Sequence, residues 1–413
     1  MDGLDQQESE TSSGLPKSVF VFGASARALA ESAARAGVKV VAADLFADWD
    51  TQRTADQTIK IENYPLGFPS SIEAGRVDYS IFTGGLENHP EVVSRVSQKA
   101  ELLGNPAGTL DRLLDFKKLF HFLGQKGFTV PPFYLFNEMP RHLLRSNRKM
   151  LAKRSRTAGG HGVEFASPVP PTQGLQDQPI YYQPLISGEA ISATLVAWRS
   201  GGVVEVSLIG ISRQLQGVPS LNAQGFSYCG SVFPFYLSRD ERDYVLDLGK
   251  VIATEYELIG LFNIDLIRTK NELYFLEVNP RYSASMELIE HQCSMSLFEI
   301  HYWACATKKR SCSKTGQAFF GETADEPRHR YPVLGKAIWY ADRDLQSDKG
   351  FCEYAERQTT ESGLRKLSDI PSPGTRVKQG SPAFTVFEPS RSDSGIDEKL
   401  VKTAKMVASR LGS

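Results

Sequence analysis

Asp265, Glu277, Asn279 and Arg281 are the residues whose types and spacing best suit them to do chemistry. Two carboxylates and a carboxamide offer hard oxygen donors of the kind that hold Mg²⁺ or Mn²⁺, with phosphate oxygens filling the rest of the shell. The arginine beside them adds a planar cation that can grip a carboxylate or phosphate through two parallel N–H groups. The bland alternative is an edge strand with solvated acids. Against it, Glu277 is flanked by Leu276 and Val278 in an apolar run that ends in Asn-Pro-Arg, poor material for an exposed face.

Other stretches carry weaker signals. Leu151-Ala-Lys153 reads as a strand that delivers a lysine and then a loop containing Gly159, Gly160, His161 and Gly162. Glycines let backbone N–H groups approach phosphates, and the lysine supplies a point charge. The pattern is not a Walker loop, because GxxxxGK[ST] is absent, and a flexible hairpin is an equal alternative. Tyr181 to Ser192 reads as a strand ending at Gln183, an apolar segment around Leu185, then Gly188-Glu189 and another strand. Such a crossover could offer backbone groups to a purine edge, with Glu189 accepting from ribose hydroxyls. Gly210 to Pro234 is rich in Gly and Ser and reads as a substrate-contacting loop, in which Arg213 could bind a second carboxylate, such as that of a glutamate. A surface loop with an incidental arginine is the competing reading.

The elements that must position these groups follow from the pattern. Phe262–Thr269 and Leu273–Asn279 read as two strands joined by the three-residue loop Lys270-Asn271-Glu272, which places Asp265 opposite Glu277. Alternation puts Asn279 on the same face. Upstream, Ser18–Phe22, the turn Gly23-Ala-Ser25, a small-residue helix over Ala26–Ala36 and a strand over Val38–Ala43 ending at Asp44 form a βαβ unit. Its Gly23-x-Ser25-x-x-Ala28 is a degraded dinucleotide fingerprint, so a half-domain shaping a substrate pocket is preferred. Val77–Phe82 is a further strand running into a polar loop. There Glu87 and Asn88 are candidates for substrate contact, with helix capping an even alternative. One helix is expected over Thr109–Lys126, with Thr109 or Asp111 as N-cap and Lys117 and Lys118 in its middle. A basic helical stretch follows over 136–148. Residues 284–307 read as helical, 308–330 as a linker, 335–389 as a small β-unit and 396–411 as an amphipathic helix.

Composition bounds the rest. The 413 residues leave room for two or three domains, and 41% hydrophobic with 23% charged residues is an ordinary globular balance. A net charge of −1 gives no reason to expect nucleic acid or a membrane surface as partner. The apolar runs are too short to span a bilayer, and residues 1–16 read as a polar, disordered tail rather than a signal. The five cysteines (Cys229, Cys293, Cys305, Cys312 and Cys352) show no CxxC spacing, which suits reduced thiols in the cytoplasm.

Taken in order, Lys153 with its glycine loop, the Gln183–Glu189 crossover and Asp265, Glu277, Asn279 and Arg281 resemble the ATP-grasp superfamily. The spacing of twelve between the carboxylates, with Asn at +2 and Arg at +4, is similar to its biotin carboxylase and carboxylate–amine ligase branch. The resemblance covers about residues 16 to 310, and the C-terminal segment resembles the closing β-subdomain of predicted ATP-dependent carboligases. Two departures stand out: Arg154 follows the lysine where Pro or Ala is common, and His161 precedes the last lid glycine.

The resemblance implies an α/β and α+β fold: a Rossmann-like pre-ATP-grasp domain over 17–108, an ATP-grasp domain over 109–310 and a small β-rich subdomain with a terminal helix over 331–413. It implies that ATP is held by Lys117, Lys153, Gly159, Gly160, Gly162, Gln183, Leu185 and Glu189, and Mg²⁺ or Mn²⁺ by Asp265, Glu277 and Asn279. Lys153 and Arg281 would be catalytic, and Glu87, Asn88, Arg213 and Arg281 would face the substrates. The implied reaction activates a carboxylate as an acyl phosphate and joins it to an amine, releasing ADP and Pi. A bicarbonate-using carboxylase and a non-catalytic nucleotide-binding protein are the alternatives. Carboligases of this type are associated with one-carbon cofactor biosynthesis in some bacteria, which implies amino-acid addition, for instance glutamate onto a pterin or furan cofactor. Small-molecule carboxylates and amines are the expected partners, with a homodimer as a candidate assembly.

Overall fold

The computed structural model describes residues 14–73, 76–135, 138, 140, 143, 149–167, 180–306, 329–360 and 363–411. The tail up to residue 13, nearly all of the basic stretch 136–148 and the linker at 308–328 lie outside the described residues. Among the described residues no helix is long and apolar enough to cross a membrane.

β1 (Ser18–Phe22) is apolar on both faces because it runs through the middle of a covered sheet. β2 (Lys39–Asp44), β3 (Gln57–Lys60), β4 (Tyr79–Phe82) and β5 (Glu101–Leu102) join it in the order β3-β2-β1-β4-β5, all parallel. Val19 and Val21 pack with Leu29, Ala30 and Ala33 of helix Arg27–Arg35. Phe20 and Phe22 face the other side, with Phe68 and with Val92, Val93 and Val96 of helix Pro90–Ser97. Strand order reverses between β1 and β4, so the loops leaving their carboxyl ends flank the point where such sheets open to ligands. Asp44 is buried, and its carboxylate accepts from the amides of Ala26 (2.8 Å), Phe46 (3.0 Å) and Ala47 (2.7 Å), so it ties the loops at the ends of β1 and β2 together.

The single helix expected over 109–126 is two, Ala107–Leu114 and Phe116–Gln125. Asp115 breaks it: its ψ of 73° leaves the helical region, and its side chain caps the second helix through the amide of Lys118 (3.2 Å). β6 (Tyr134–Leu135), β7 (Met150–Arg154), β8 (Val163–Phe165) and β9 (Ile180–Pro184) then form a small antiparallel sheet in the order β6-β9-β7-β8.

β10 (Glu189–Ser200), β11 (Val203–Gln216), β12 (Tyr228–Phe233), β13 (Gly260–Arg268) and β14 (Leu273–Asn279) build most of a second, larger antiparallel sheet. The segment 210–234, expected as a loop, is therefore mostly strand. Its small residues fit because neighbours press close: a side chain on Gly210 would meet the Phe233 ring. β15 (Val333–Tyr340) pairs with β12 and continues this sheet, whereas β16 (Leu345–Gln346) turns aside and pairs with β18 (Arg376–Val377). β17 (Leu367–Ser368) and β19 (Pro382–Ser390) complete the order β14-β13-β10-β11-β12-β15-β19-β17. Helix Ile396–Ala408 covers the added part through Ile396, Leu400, Ala404 and Val407.

Polar groups fasten the junction between these parts. Arg27 is buried and donates to both oxygens of Glu287 (2.6 and 3.0 Å) and to Asp369 (2.6 Å), while Lys336 of β15 reaches the same Glu287 (3.0 Å). Burial alone would raise the Glu287 pKa, but Arg27 and Lys336 hold it well below the usual carboxylate range.

His301 makes a second fastening. Its Nδ1 accepts from the Leu261 amide (2.9 Å) and its Nε2 lies 3.2 Å from the Leu103 carbonyl, so the neutral Nε2–H tautomer satisfies both. Burial pushes this imidazole down to about 4. The unfolded chain would protonate it near pH 6.5, so the stability it contributes is complete above that pH and is lost as pH falls toward 4. Between pH 7 and 5 the wild type should lose about 2 kcal/mol more than His301→Gln, read from denaturant midpoints. Equal slopes in the two proteins would show that His301 does not titrate on unfolding.

Candidate active site

The floor of the site is the β13–β14 hairpin. Its turn is the four residues Thr269–Glu272, closed by the Thr269 amide on the Glu272 carbonyl (2.9 Å), instead of the three-residue loop expected. Next to the turn, Arg268 pairs with Leu273 and Leu266 with Phe275. A bulge at Leu276 then adds one residue to β14, bringing Asp265 opposite Glu277 and Asn263 opposite Asn279. The added residue also inverts the alternation. Leu273 and Phe275 enter the core with Ile264 and Leu266, and Glu277 and Asn279 turn to the other face beside Asp265.

Asp265 Oδ1 accepts from Ser192 (2.6 Å), and the Asn279 Nδ2 donates to Asp265 and Glu277 at 3.3 Å each. Burial first, and the facing Glu277 second, push the Asp265 carboxyl up to about 7. Two facing carboxylates bridged only by a neutral amide form a donor set that fits a divalent cation, which would relieve their repulsion. Among the described residues no group of three or more His, Cys, Asp or Glu gathers at one point. A cation here would therefore draw further oxygens from a phosphate-bearing ligand.

Arg281 stands just behind this set. Its guanidinium donates to Glu87 (2.6 Å), the Asn279 carboxamide oxygen (2.9 Å) and Ser283 (2.7 Å), and its Nε is buried without a partner. Glu87 comes from the turn after β4, so the parallel sheet and the hairpin meet at this ion pair. Gly85 makes the approach possible: its φ is +94°, and a side chain there would strike the Tyr64 hydroxyl.

A cavity of about 250 Å³ joins these groups to the small sheet. One wall is apolar, with Leu113, Phe116, Leu151, Tyr181, Leu276 and Val278, and Phe116 stacks on Tyr181 at 4.1 Å. Leu185 lines the same wall, and buried Gln183 accepts from Lys153 (3.3 Å) while its own Nε2 lacks a partner. A flat ligand with hydrogen-bonding edges suits that slot. Residues 154–161 form the roof, with Gly159 and Gly160 on it and Gly162 just beyond.

The roof rests on the turn between β11 and β12. The Tyr228 amide donates to the Gly159 carbonyl (2.9 Å). Gly160 has φ +78°, and a side chain on it would overlap the Phe226 carbonyl. Gly160→Ala should therefore hold the roof off this turn. Tryptic cleavage at Arg154 and Arg156 is expected to quicken several-fold, and added Mg-ATP to protect less than in wild type. Identical cleavage in both proteins would contradict a roof latched at Gly160.

Other expected positions lie away from the cavity. Lys117 is exposed and does not line it; neither does Lys118, which pairs with Asp115 (2.9 Å), because Phe116 is the residue of that turn facing inward. Glu189 is exposed and pairs with Arg268 (3.5 Å). Arg213 is bound by Asp397 (2.9 Å) and Asp393 (3.0 Å) near the C-terminal helix and does not line the cavity. The cavity instead takes its strand neighbours Gln214 and Gln216, on the opposite face of β11. Asn88 lines the cavity beside Glu87. Phe226 and Phe116 also line it, and nothing in their local sequence marked them.

Residues 115–285 match the family model described as an ATP-grasp domain. None of the curated proteins matches the chain. Similar solved structures include a pyruvate carboxylase from Rhizobium etli, at 15% identity and TM-score 0.67, over 94% of this chain and only 37% of that one. An L-amino acid ligase from Bacillus licheniformis is similar over 96% of this chain and 98% of its own, at 14% identity and TM-score 0.65. N5-carboxyaminoimidazole synthetase from Staphylococcus aureus, solved with ADP, is similar over 94% and 97%, at 14% and 0.63. At such identities the likeness is one of fold. With the domain match set on the very hairpin, roof and apolar slot described above, residues 115–285 are the part of the chain that matches an ATP-grasp domain.

Proposed function

We propose that this chain is an ATP-dependent carboxylate–amine ligase. The observation that carries the proposal is the convergence in one cavity of the Asp265–Glu277–Asn279 set, Lys153 and the glycine roof, with Arg281 directly behind. Adenine would lie in the apolar slot against Phe116 and Tyr181, with Gln183 and Leu185 at its edge. Asp265, Glu277 and Asn279 would hold Mg²⁺, which supplies neutralisation of phosphate charge. Phosphoryl transfer asks the protein mainly for positioning and charge balance. Lys153 meets charge developing on the transferred group, and the roof excludes water from the intermediate. A substrate carboxylate attacks the γ-phosphate of ATP, ADP leaves, and an acyl phosphate remains. An amine then displaces phosphate to give an amide. Arg281 would orient the carboxylate through its planar fork.

The L-amino acid ligase among the similar structures is named for this class of reaction, and the carboxylase names there keep a bicarbonate reaction as the second reading. One experiment separates them: ADP release measured over a panel of carboxylates, with and without amines, and with bicarbonate alone. Release that requires both a carboxylate and an amine supports the ligase. Release with bicarbonate and no other carboxylate would overturn it. Amino-acid addition to a larger cofactor acid is the substrate pairing this panel should include.

A further inference from the structure

The ligase reading leaves the amine without a binding group, and the structure offers one. Glu87 lines the cavity with its side chain only 11% exposed. Its Oε1 accepts from Arg281, but its Oε2 is buried with no donor. A carboxylate oxygen sealed from water and left without a partner is costly unless a ligand supplies the missing donor. Asp265 and Glu277, the other acids of the cavity, are the ones that suit the cation. The Tyr64 hydroxyl lies beside Gly85, and burial first and then Glu87 push it up to about 12, so it stays an uncharged phenol and brings no second negative charge.

We propose, resting on the ligase reading, that Glu87 is the amine-binding catalytic residue and that the second substrate is a primary amine arriving as its ammonium. An ammonium has three N–H donors and the charge that complements a carboxylate, which a hydroxyl or an amide lacks. Glu87 Oε2 takes one N–H and accepts that proton, freeing the nitrogen lone pair. The nitrogen bonds to the acyl carbon, the bond from that carbon to the phosphate-bearing oxygen breaks, and phosphate departs. The second proton lost from nitrogen leaves with the phosphate. Arg281 holds the other oxygen of Glu87, so the carboxylate cannot swing away from the acyl group it serves.

Hydroxylamine is neutral near pH 7.5 and attacks acyl phosphates without a base, so it reports activation separately from amine capture. Wild type and Glu87→Gln are each given Mg-ATP and a panel of mono- and dicarboxylates and L-α-amino acids, with either hydroxylamine or the amino acids as acceptor. The readout is the ratio of amide to hydroxamate. That ratio should fall at least tenfold in Glu87→Gln, with KM for the amine raised. An unchanged ratio, with both products falling together or neither, would overturn the role of Glu87 alone, because Glu87 would then act only through Arg281 or not at all. No hydroxamate from wild type with any acid would overturn the acyl-phosphate reading itself, and the Glu87 role with it. Hydroxamate formation by the variant also certifies that it is folded.

Discussion

Glu277→Gln should lower turnover roughly a hundredfold or more, about 2.7 kcal/mol in the barrier, while ATP still binds weakly. The side chain keeps its shape and loses the charge that faces Asp265 across the hairpin. The loss should be largest at low Mg²⁺ and persist at saturation, because the missing ligand weakens neutralisation of the phosphates in the transition state as well as cation binding. The same change should lower the Asp265 pKa from about 7, since Glu277 is the second cause of its rise after burial. Steady-state ADP release across a Mg²⁺ titration checks this. Near wild-type turnover at saturating Mg²⁺ would remove Glu277 from the ligand set.

Arg281→Lys is expected to cut kcat about thirtyfold or more and to change the affinity for ATP less than about threefold. An ammonium keeps the charge but cannot span Glu87, Asn279 and Ser283, which one planar guanidinium now joins. Both the carboxylate of the substrate and the carboxamide of Asn279 would lose their fixed orientation. Separate measurements of nucleotide binding and of single-turnover chemistry distinguish the two effects. A variant with wild-type kcat would mean that Arg281 serves the fold and not the reaction.

The facing of Asp265 and Glu277 was legible in the sequence, but for an incomplete reason. The three-residue loop that implied this pairing is a four-residue turn, and the bulge at Leu276 restores the register one step on. Simple alternation would have placed Phe275 and Glu277 on one face; the bulge lets one strand serve both core and site. Bulges leave little local signal, since Leu276 is an apolar residue like Phe275 and Val278 on either side of it in the strand. The placement of Arg213 was not legible, because charge alone does not reveal a strand's face: the neighbouring Gln214 is the one turned to the cavity. The break at Asp115 was readable in principle, since Asp is a strong N-cap, yet the run from Thr109 to Lys126 is periodic enough to hide it. Neither the joining of β15 to β12 nor the burial of Arg27 against Glu287 and Asp369 could be read, because each depends on partners more than a hundred residues away.

The acyl phosphate is tested most directly by following oxygen. A substrate carboxylate labelled with ¹⁸O gives one of its oxygens to phosphorus, and that oxygen leaves with phosphate when the amine attacks. Mass spectrometry of the released Pi should find one label for each amide formed, with the remaining label in the amide carbonyl. Unlabelled Pi, with both labelled oxygens still on the organic product, would contradict carboxylate activation at this site.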